Sequence, residues 1–374
     1  MACSLFRKIQ AASVIVIIGA ALWVLACISS YHLRRNQFLL FSEKDESSYG
    51  GARMVLILAY MRGGSSFTGK LFDSNKEAFY VFEPLYHIYE RALKHPNFMK
   101  HVAKSNGPAP VAENATLFAQ QLLRSYLACS INSISVINFY DVFLKEGSKT
   151  KEFLTCGKTQ PECLKEATYA CQESKVRVIK TIRFRMSDVS DLMDSLPSLK
   201  VVHLVRDPRG IISSRMNHFG NYKKTGDILE DVTKLCQSML KDFHSVKLYR
   251  RRFPDRIMTI LYEDLAERPE VITAQIYKFV NSPLPESVRE WIHANTQAET
   301  DEELQSFMGT QRKNSSLTAS FWRTRISLQL AKYVDQKCHE IYKKVGYLPV
   351  QNLTHLKDNL VSLRDRTPPN YQSN

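Results

Sequence analysis

Five short apolar runs, separated by longer amphipathic stretches, constrain this chain more than any other feature. They lie at 54–59, 79–82, 176–179, 201–205 and 256–262. Each is rich in Val, Ile, Leu, Phe or Met, and each is too short to be a helix. Continuous apolar runs belong to strands covered on both faces, as in parallel sheets. Helical patterns lie between them, at 117–127 and 229–251 among others. The alternation predicts an α/β fold with a mostly parallel central sheet. A chain of 374 residues with 44% apolar content can fill such a core. Ligands in these folds bind beyond the carboxyl ends of the strands, so the loops that follow the runs carry the functional reading.

The first run leads into Arg62-Gly63-Gly64-Ser65-Ser66-Phe67-Thr68-Gly69-Lys70. Glycines permit a tight turn and close backbone approach, and the hydroxyls and flanking cations suit an anion. A helix starting near Ser66 would add its free N–H groups, making a cradle for phosphate or sulfate. An ordinary strand-to-helix turn is the plainer alternative. Gly64, Gly69 and Lys70 almost satisfy the Walker A spacing, but Leu71 stands where that motif needs Ser or Thr for magnesium. That departure counts against an ATP-dependent kinase.

The fourth run leads into Arg206-Asp207-Pro208-Arg209-Gly210-Ile211-Ile212-Ser213-Ser214. Pro208 turns the chain at Asp207, and a helix is expected to restart near Gly210. Arg206 and Ser214 can then converge on one phosphate. Alternatively Arg206 simply pairs with Asp207 or another carboxylate.

Outside the body, residues 9–31 carry no charged side chain and are long enough to span a bilayer. A cleaved signal peptide is the rival reading, but its apolar core would be shorter. The expected order is a cytosolic tail (1–8), a signal anchor (9–31), a stem (32–52), a lumenal domain (53–350) and a polar tail (351–374) that frays. Asn114, Asn314 and Asn352 open N-glycosylation triplets. Six of the eight cysteines, Cys129, Cys156, Cys163, Cys171, Cys236 and Cys338, fall in the body. An even number there suits disulfides in an oxidising compartment, with the pairing open. Their spacings match no zinc pattern. The net charge of +14 favours anionic partners. With no RNP motif, zinc-finger spacing or long basic block, nucleic acid is not an expected partner.

Together the two loops resemble the sulfotransferase family, in its Golgi carbohydrate branch. Further matches are Phe82-Glu83-Pro84-Leu85-Tyr86-His87, Lys180-Thr181-Ile182-Arg183, Tyr262-Glu263-Asp264-Leu265 and Phe321-Trp322-Arg323, in family order. Gly63 departs from the Ser usual in these relatives, a change expected to loosen the loop. The resemblance implies a single P-loop-like sulfotransferase domain using PAPS (3′-phosphoadenylyl sulfate) as donor, with no metal. It implies that residues 62–68 grip the 5′-phosphosulfate and that residues 206–214 form the 3′-phosphate element. It also implies a glycan acceptor, sulfated on a 6-hydroxyl of galactose, N-acetylglucosamine or N-acetylgalactosamine, and a Golgi membrane protein of type II orientation. Oligomeric state stays open, a homodimer included.

Glu83 directly follows the second run, so it should reach the same sheet edge as the first loop. It is the expected proton acceptor, with Arg62 stabilising the leaving phosphate. Glu83 capping a helix or pairing with Arg62 is the alternative, and His87 is the rival base. Lys180 and Arg183 suit either the donor or an acidic glycan. Tyr262, Glu263 and Asp264 read as structural. Trp322 and Arg323 suit a nucleotide cover or a wall of the acceptor groove, with core packing the alternative for Trp322. A secretory-pathway kinase and a non-catalytic glycan-binding relative remain the competing functions.

Overall fold

The computed structural model describes residues 51–86, 115–131, 144–154, 156–219, 224–298 and 309–365. The expected anchor at 9–31, most of the stem, His87, Asn114 and the tail beyond 365 lie outside them. Among the described residues no helix is long and apolar enough to cross a membrane.

Strand β1 (Arg53–Leu58) is followed by helix α1 (Ser65–Asp73) and strand β2 (Ala78–Phe82). Helices α2 (Ala115–Leu127), α3 (Ser148–Leu154) and α4 (Gln160–Glu173) precede β3 (Val176–Thr181). Next come α5 (Ser190–Ser195), β4 (Leu199–Val205), α6 (Pro208–Phe219), α7 (Thr225–Arg252) and β5 (Ile257–Leu261). The remaining helices are α8 (Tyr262–Glu267), α9 (Pro269–Phe279), α10 (Glu286–Thr296), α11 (Ser315–Ser320), α12 (Trp322–Arg325), α13 (Leu328–Lys337), α14 (His339–Val345) and α15 (Leu353–Lys357).

The five strands form one sheet in the order β2-β3-β1-β4-β5. Every pairing is parallel, with Leu58 opposite both Thr181 and His203, Phe82 opposite Lys180, and Val205 opposite Leu261. The carboxyl ends therefore share one edge. The apolar runs are continuous because both faces are covered. Val55, Ile57, Val178, Val202 and Leu204 share a core with Leu71, Phe72, Ile276 and Tyr277. Val205 and Leu261 pack with Val232, Met239 and Phe243 of α7 and with residues of α13 and α14.

All six body cysteines pair, as Cys129–Cys171, Cys156–Cys163 and Cys236–Cys338. The first ties the end of α2 to α4, and the third ties α7 to the α13–α14 junction. The chain after Asn352 does not fray through residue 365. Arg323 donates to the carbonyls of His355, Leu356, Asp358 and Val361. Lys357 donates back to the carbonyls of Arg323 and Thr324 at 2.9 Å each. Arg364 reaches Asp264 and Glu267 of α8 at 2.9 and 2.8 Å. Residues 353–365 thus belong to the domain that sequence alone closed at 350. The polar side chains that suggested a frayed tail are the groups that dock it.

A buried polar cluster anchors the chain just before the first loop. Tyr60 donates its hydroxyl to Asp242 Oδ2 at 2.8 Å, and His203 Nε2 lies 3.2 Å from the same hydroxyl. With the tyrosine proton committed to Asp242, His203 must be the Nε2–H donor, which leaves Nδ1 as the bare nitrogen. That Nδ1 is buried and has no partner among the described residues. Burial, helped by the nearby Arg250 charge, lowers the His203 pKa from 6.5 to about 3. Below pH 6.5 the unfolded chain binds a proton that the native chain refuses, so stability falls as the pH drops from 6.5 toward 3. This one group contributes a slope of at most about 1.4 kcal/mol per pH unit. Denaturant unfolding at about pH 7 and about pH 5 should show a pH-dependent loss that shrinks by roughly 2 kcal/mol in His203→Gln. Equal losses in the two proteins would contradict this assignment.

Candidate active site

The turn after β1 is built by backbone geometry that few sequences tolerate. Arg62 sits in the left-handed region at φ 68°, and Gly64 follows at φ 90°. The Gly63 amide closes the turn on the Tyr60 carbonyl at 2.7 Å. The glycine expected to loosen this loop thus sits in a closed hydrogen-bonded turn. At Gly64 a Cβ would fall 2.1 Å from the Tyr262 ring, so only glycine fits. Helix α1 starts at Ser65, and its first amides lack intrahelical partners by helix geometry.

The second loop is tied across the sheet to the first. Arg206 Nη1 donates to the Arg62 carbonyl at 2.9 Å, and Arg62 Nε donates to Ser214 Oγ at 2.9 Å. The Arg206 guanidinium lies 4.4 Å above the Tyr262 ring. Its Nε is buried with no partner among the described residues. Gly210 lets Arg206 and Trp322 approach, since a Cβ there would meet both at 3.1–3.2 Å.

Glu83, just past β2, is also left-handed at φ 49°, and its side chain is 2% exposed. Non-glycine residues in this region are strained and cluster at functional sites. Its Oε1 accepts from Lys180 Nζ at 2.8 Å and from the Ile182 amide at 3.0 Å. Its Oε2 accepts from Arg183 Nη1 at 2.8 Å and lies 3.4 Å from Thr181 Oγ1. The charged partners of Glu83 are therefore Lys180 and Arg183 rather than Arg62. Lys180 lies 4.0 Å over the Phe82 ring, and Arg183 lies 4.6 Å over Tyr86. Burial pulls the Lys180 ammonium below the ordinary lysine range, against the upward pull of Glu83.

These groups meet in a cavity of about 790 Å³. Of the residues singled out in the sequence, Arg62, Gly64, Ser65, Ser66, Phe67, Glu83, Arg206, Gly210, Ser213 and Ser214 line it, as do Lys180, Arg183 and Trp322. Gly63, Thr68, Asp207, Pro208, Arg209, Ile211 and Ile212 are buried and support the walls instead. Thr68 turns its hydroxyl back to the Gly64 carbonyl. Arg209 binds Asp207 through Nε and Nη2 and binds Asp335 through Nη1 at 3.1 Å. It is sandwiched 4.8 and 4.9 Å from the rings of Trp322 and Tyr342. Burial opposes its charge, but the surrounding carboxylates hold its pKa above the usual arginine value. Arg209 is a structural strut.

Tyr262, expected to be structural, packs under Arg206 and also lines the cavity. Other wall residues escaped the sequence reading. Arg215 lines the cavity and pairs with Asp231 at 2.7 Å. Arg312 and Arg325 come from the far end of the chain, where no local motif marks them. Lys70 is absent from the lining and donates to Asp73 and to the Glu146 carbonyl. The kinase reading therefore loses its phosphate lysine as well as its hydroxyl.

Residues 52–346 match the sulfotransferase domain family. Carbohydrate sulfotransferase 1 of Homo sapiens is 31% identical over 357 residues, covering 83% of this chain and 82% of that protein. The Danio rerio protein of that name is 30% identical, covering 84% of this chain and 82% of its own length. Carbohydrate sulfotransferase 3 of Homo sapiens is 28% identical, covering 84% of this chain and 71% of that protein. Among solved structures, the sulfotransferase domain of the Synechococcus PCC 7002 olefin synthase aligns with a TM-score of 0.41 at 16% identity, covering 77% of this chain and 94% of that one. The chain belongs to the sulfotransferase family, among the carbohydrate sulfotransferases, and is a sulfotransferase.

The loop geometry predicts that Gly64→Ala displaces Tyr262 or unwinds the turn, and so disorders Arg206 as well. Binding of adenosine 3′,5′-bisphosphate should weaken by at least about 100-fold, a loss of roughly 2.7 kcal/mol. Calorimetry on the purified protein reads this directly. Retained affinity would show that the cavity tolerates a side chain there.

Proposed function

We propose that this chain transfers a sulfuryl group from PAPS to a sugar hydroxyl, with the 6-hydroxyl of galactose, N-acetylglucosamine or N-acetylgalactosamine as the favoured acceptor. The observation that carries this reading is the cross-tie between Arg62, Arg206 and Ser214 at the sheet edge, beside the buried Glu83. Arg62 and the first amides of α1 would hold the 5′-phosphosulfate. Arg206 and Ser214 would hold the 3′-phosphate, with the unpartnered Nε of Arg206 as a donor in reserve. The names of the relatives support a carbohydrate acceptor.

In the reaction the sugar oxygen attacks sulfur in line, and the sulfur–oxygen bond to the 5′-phosphate breaks. Adenosine 3′,5′-bisphosphate leaves with that electron pair, and the hydroxyl proton passes to a base. Placing the partners and stabilising the leaving phosphate supply most of the acceleration. Glu83 is the base in this reading. An ionised carboxylate has about four acceptor positions. Three are filled at 2.8–3.0 Å, whereas Thr181 holds the fourth only at 3.4 Å. The acceptor hydroxyl would enter at Oε2, where it has the weakest competitor. Lys180 and Arg183 hold the Glu83 carboxylate in place. His87, the rival base, lies outside the described residues.

The same reading places the domain in the Golgi lumen behind a type II anchor. The apolar run at 9–31 and the triplets at Asn114, Asn314 and Asn352 support it. Three disulfides suit an oxidising compartment. Asn314 and Asn352 are exposed, and each caps a helix through its side-chain oxygen.

The test is sulfur transfer from labelled PAPS to a panel of Gal-, GlcNAc- and GalNAc-terminated glycans, with and without EDTA. One acceptor should be labelled whether or not EDTA is present. Glu83→Gln should lower kcat by at least about 100-fold while bisphosphate affinity stays within a few-fold. Full activity in Glu83→Gln would remove Glu83 as the base. EDTA-sensitive transfer would reopen metal chemistry.

A further inference from the structure

Helix α7 is 28 residues long and does two things along its length. Its first turns enter the cavity wall through Asp227, Glu230, Asp231 and Lys234. Its inner face is core, with Val232, Leu235, Met239, Phe243 and Val246 buried. Beyond Lys234 the helix leaves the cavity, and its outer face changes character.

Exposed positions recur there at 237, 241, 244, 247, 248 and 251, the spacing of a single helical face. They are Gln237, Lys241, His244, Lys247, Leu248 and Arg251, with no acidic residue among them. Lys241, Lys247 and Arg251 have no carboxylate partner among the described residues. The two neighbouring pairs, Lys234–Glu230 and Arg252–Asp194, stand at the margins of this face. A basic last turn complements the helix dipole, which accounts for Arg250 to Arg252. The dipole's effect fades within one turn, so it does not account for Lys241 and Lys247.

We propose that this face is an exosite for the extended part of a polyanionic glycan acceptor. A chain bearing carboxylates or sulfates would lie along α7 while its reacting sugar sits in the cavity. From Lys234 to Arg251 the track is about 25 Å long at 1.5 Å per residue. Its first free cation among the described residues, Lys241, lies seven residues beyond Lys234 of the cavity wall, about 10 Å at 1.5 Å per residue, and at the wall itself Glu230 and Asp231 are each paired with a cation. Charge complementarity selects the occupant: three uncompensated cations on one face suit a flexible polyanion. Rim charges of this kind set association rate and salt dependence more than the chemical step. The inference rests on the carbohydrate sulfotransferase reading and deepens it, by naming the acceptor as an anionic polymer.

The experiment compares the full chain with Lys241→Gln/Lys247→Gln/Arg251→Gln and with a control, Lys76→Gln/Lys145→Gln/Lys165→Gln. The control residues are exposed and lie around β2, α3 and α4. Transfer is measured to a chondroitin polymer and to a short neutral oligosaccharide, across a range of salt. Retention on heparin is read in parallel, because it needs no turnover. The track variant should raise KM for the polymer about tenfold, flatten its salt dependence and elute earlier from heparin. Its kcat, and its KM for the short acceptor, should match the unmodified protein, and the control should behave as unmodified.

Equal losses in the control would show general surface charge and overturn the proposal. So would an unchanged KM and unchanged heparin retention in the track variant. Impaired binding to phosphatidylserine vesicles with an unchanged polymer KM would assign the face to a membrane surface instead. If the unmodified protein sulfated neither acceptor, the underlying reading would fail, and heparin retention would still decide whether the track binds polyanions.

Discussion

The hydrogen bond from Arg206 to the Arg62 carbonyl organises the rest of this site. A parallel sheet brings the loops after β1 and β4 to one edge, but it does not fix their separation. The 2.9 Å contact fixes it, and the return contact from Arg62 to Ser214 locks both side chains. Tyr262 lies beneath Arg206 and against Gly64, so one ring sets the height of both loops. Behind it, Glu263 accepts from the Asp207 amide at 2.9 Å and from the Tyr347 hydroxyl at 2.8 Å. Burial raises the Glu263 pKa, with nearby Asp207 adding to the effect. Arg364 braces the same short helix from the last described turn of the chain. One short helix, α8, thus links the end of the described chain, through Asp264 and Glu267, to the second loop, through Glu263.

Buried charge plays two roles in this fold. Around Arg209 the charges are closed off: Asp207, Asp335 and two rings occupy every direction. Removing one partner of such a pair strands the other, typically at a cost of about 3–5 kcal/mol. Around Glu83 the charges face a cavity, and the group carries two cations and strained backbone at once. Strain and concentrated charge persist only where surrounding structure over-determines them. Here the parallel pairing of β2 with β3 does so by delivering Lys180, Thr181, Ile182 and Arg183 to one carboxylate.

Much of this was legible in the sequence because the relevant signals are local. The five apolar runs became the five strands to within two residues at each end, since burial on both faces leaves little else for them to be. Gly63, Gly64 and the serines mark the first loop through backbone chemistry that only small residues allow. The sequence was silent where the deciding contact is distant in the chain. Arg209 looks like one more loop cation until Asp335, over a hundred residues away, claims it. The segment after Asn352 reads as polar tail until Arg323 gathers its carbonyls. Tyr262 belongs to a run of strand-forming residues, and its role appears only when β5 stops at Leu261 and a helix begins. Lys180 and Arg183 were visible as a motif about a hundred residues from Glu83, but their convergence on its carboxylate depends on strand order, which composition does not encode.

The central claim is that the paired loops form a cradle for two separated phosphates. Titration calorimetry of the full chain with adenosine 3′,5′-bisphosphate and with adenosine 5′-phosphate tests it most directly. The account predicts that the bisphosphate binds at least about tenfold more tightly, a gap of roughly 1.4 kcal/mol, and that Arg206→Ala abolishes the difference. Equal affinity for the two nucleotides, or a preference that survives Arg206→Ala, would contradict it.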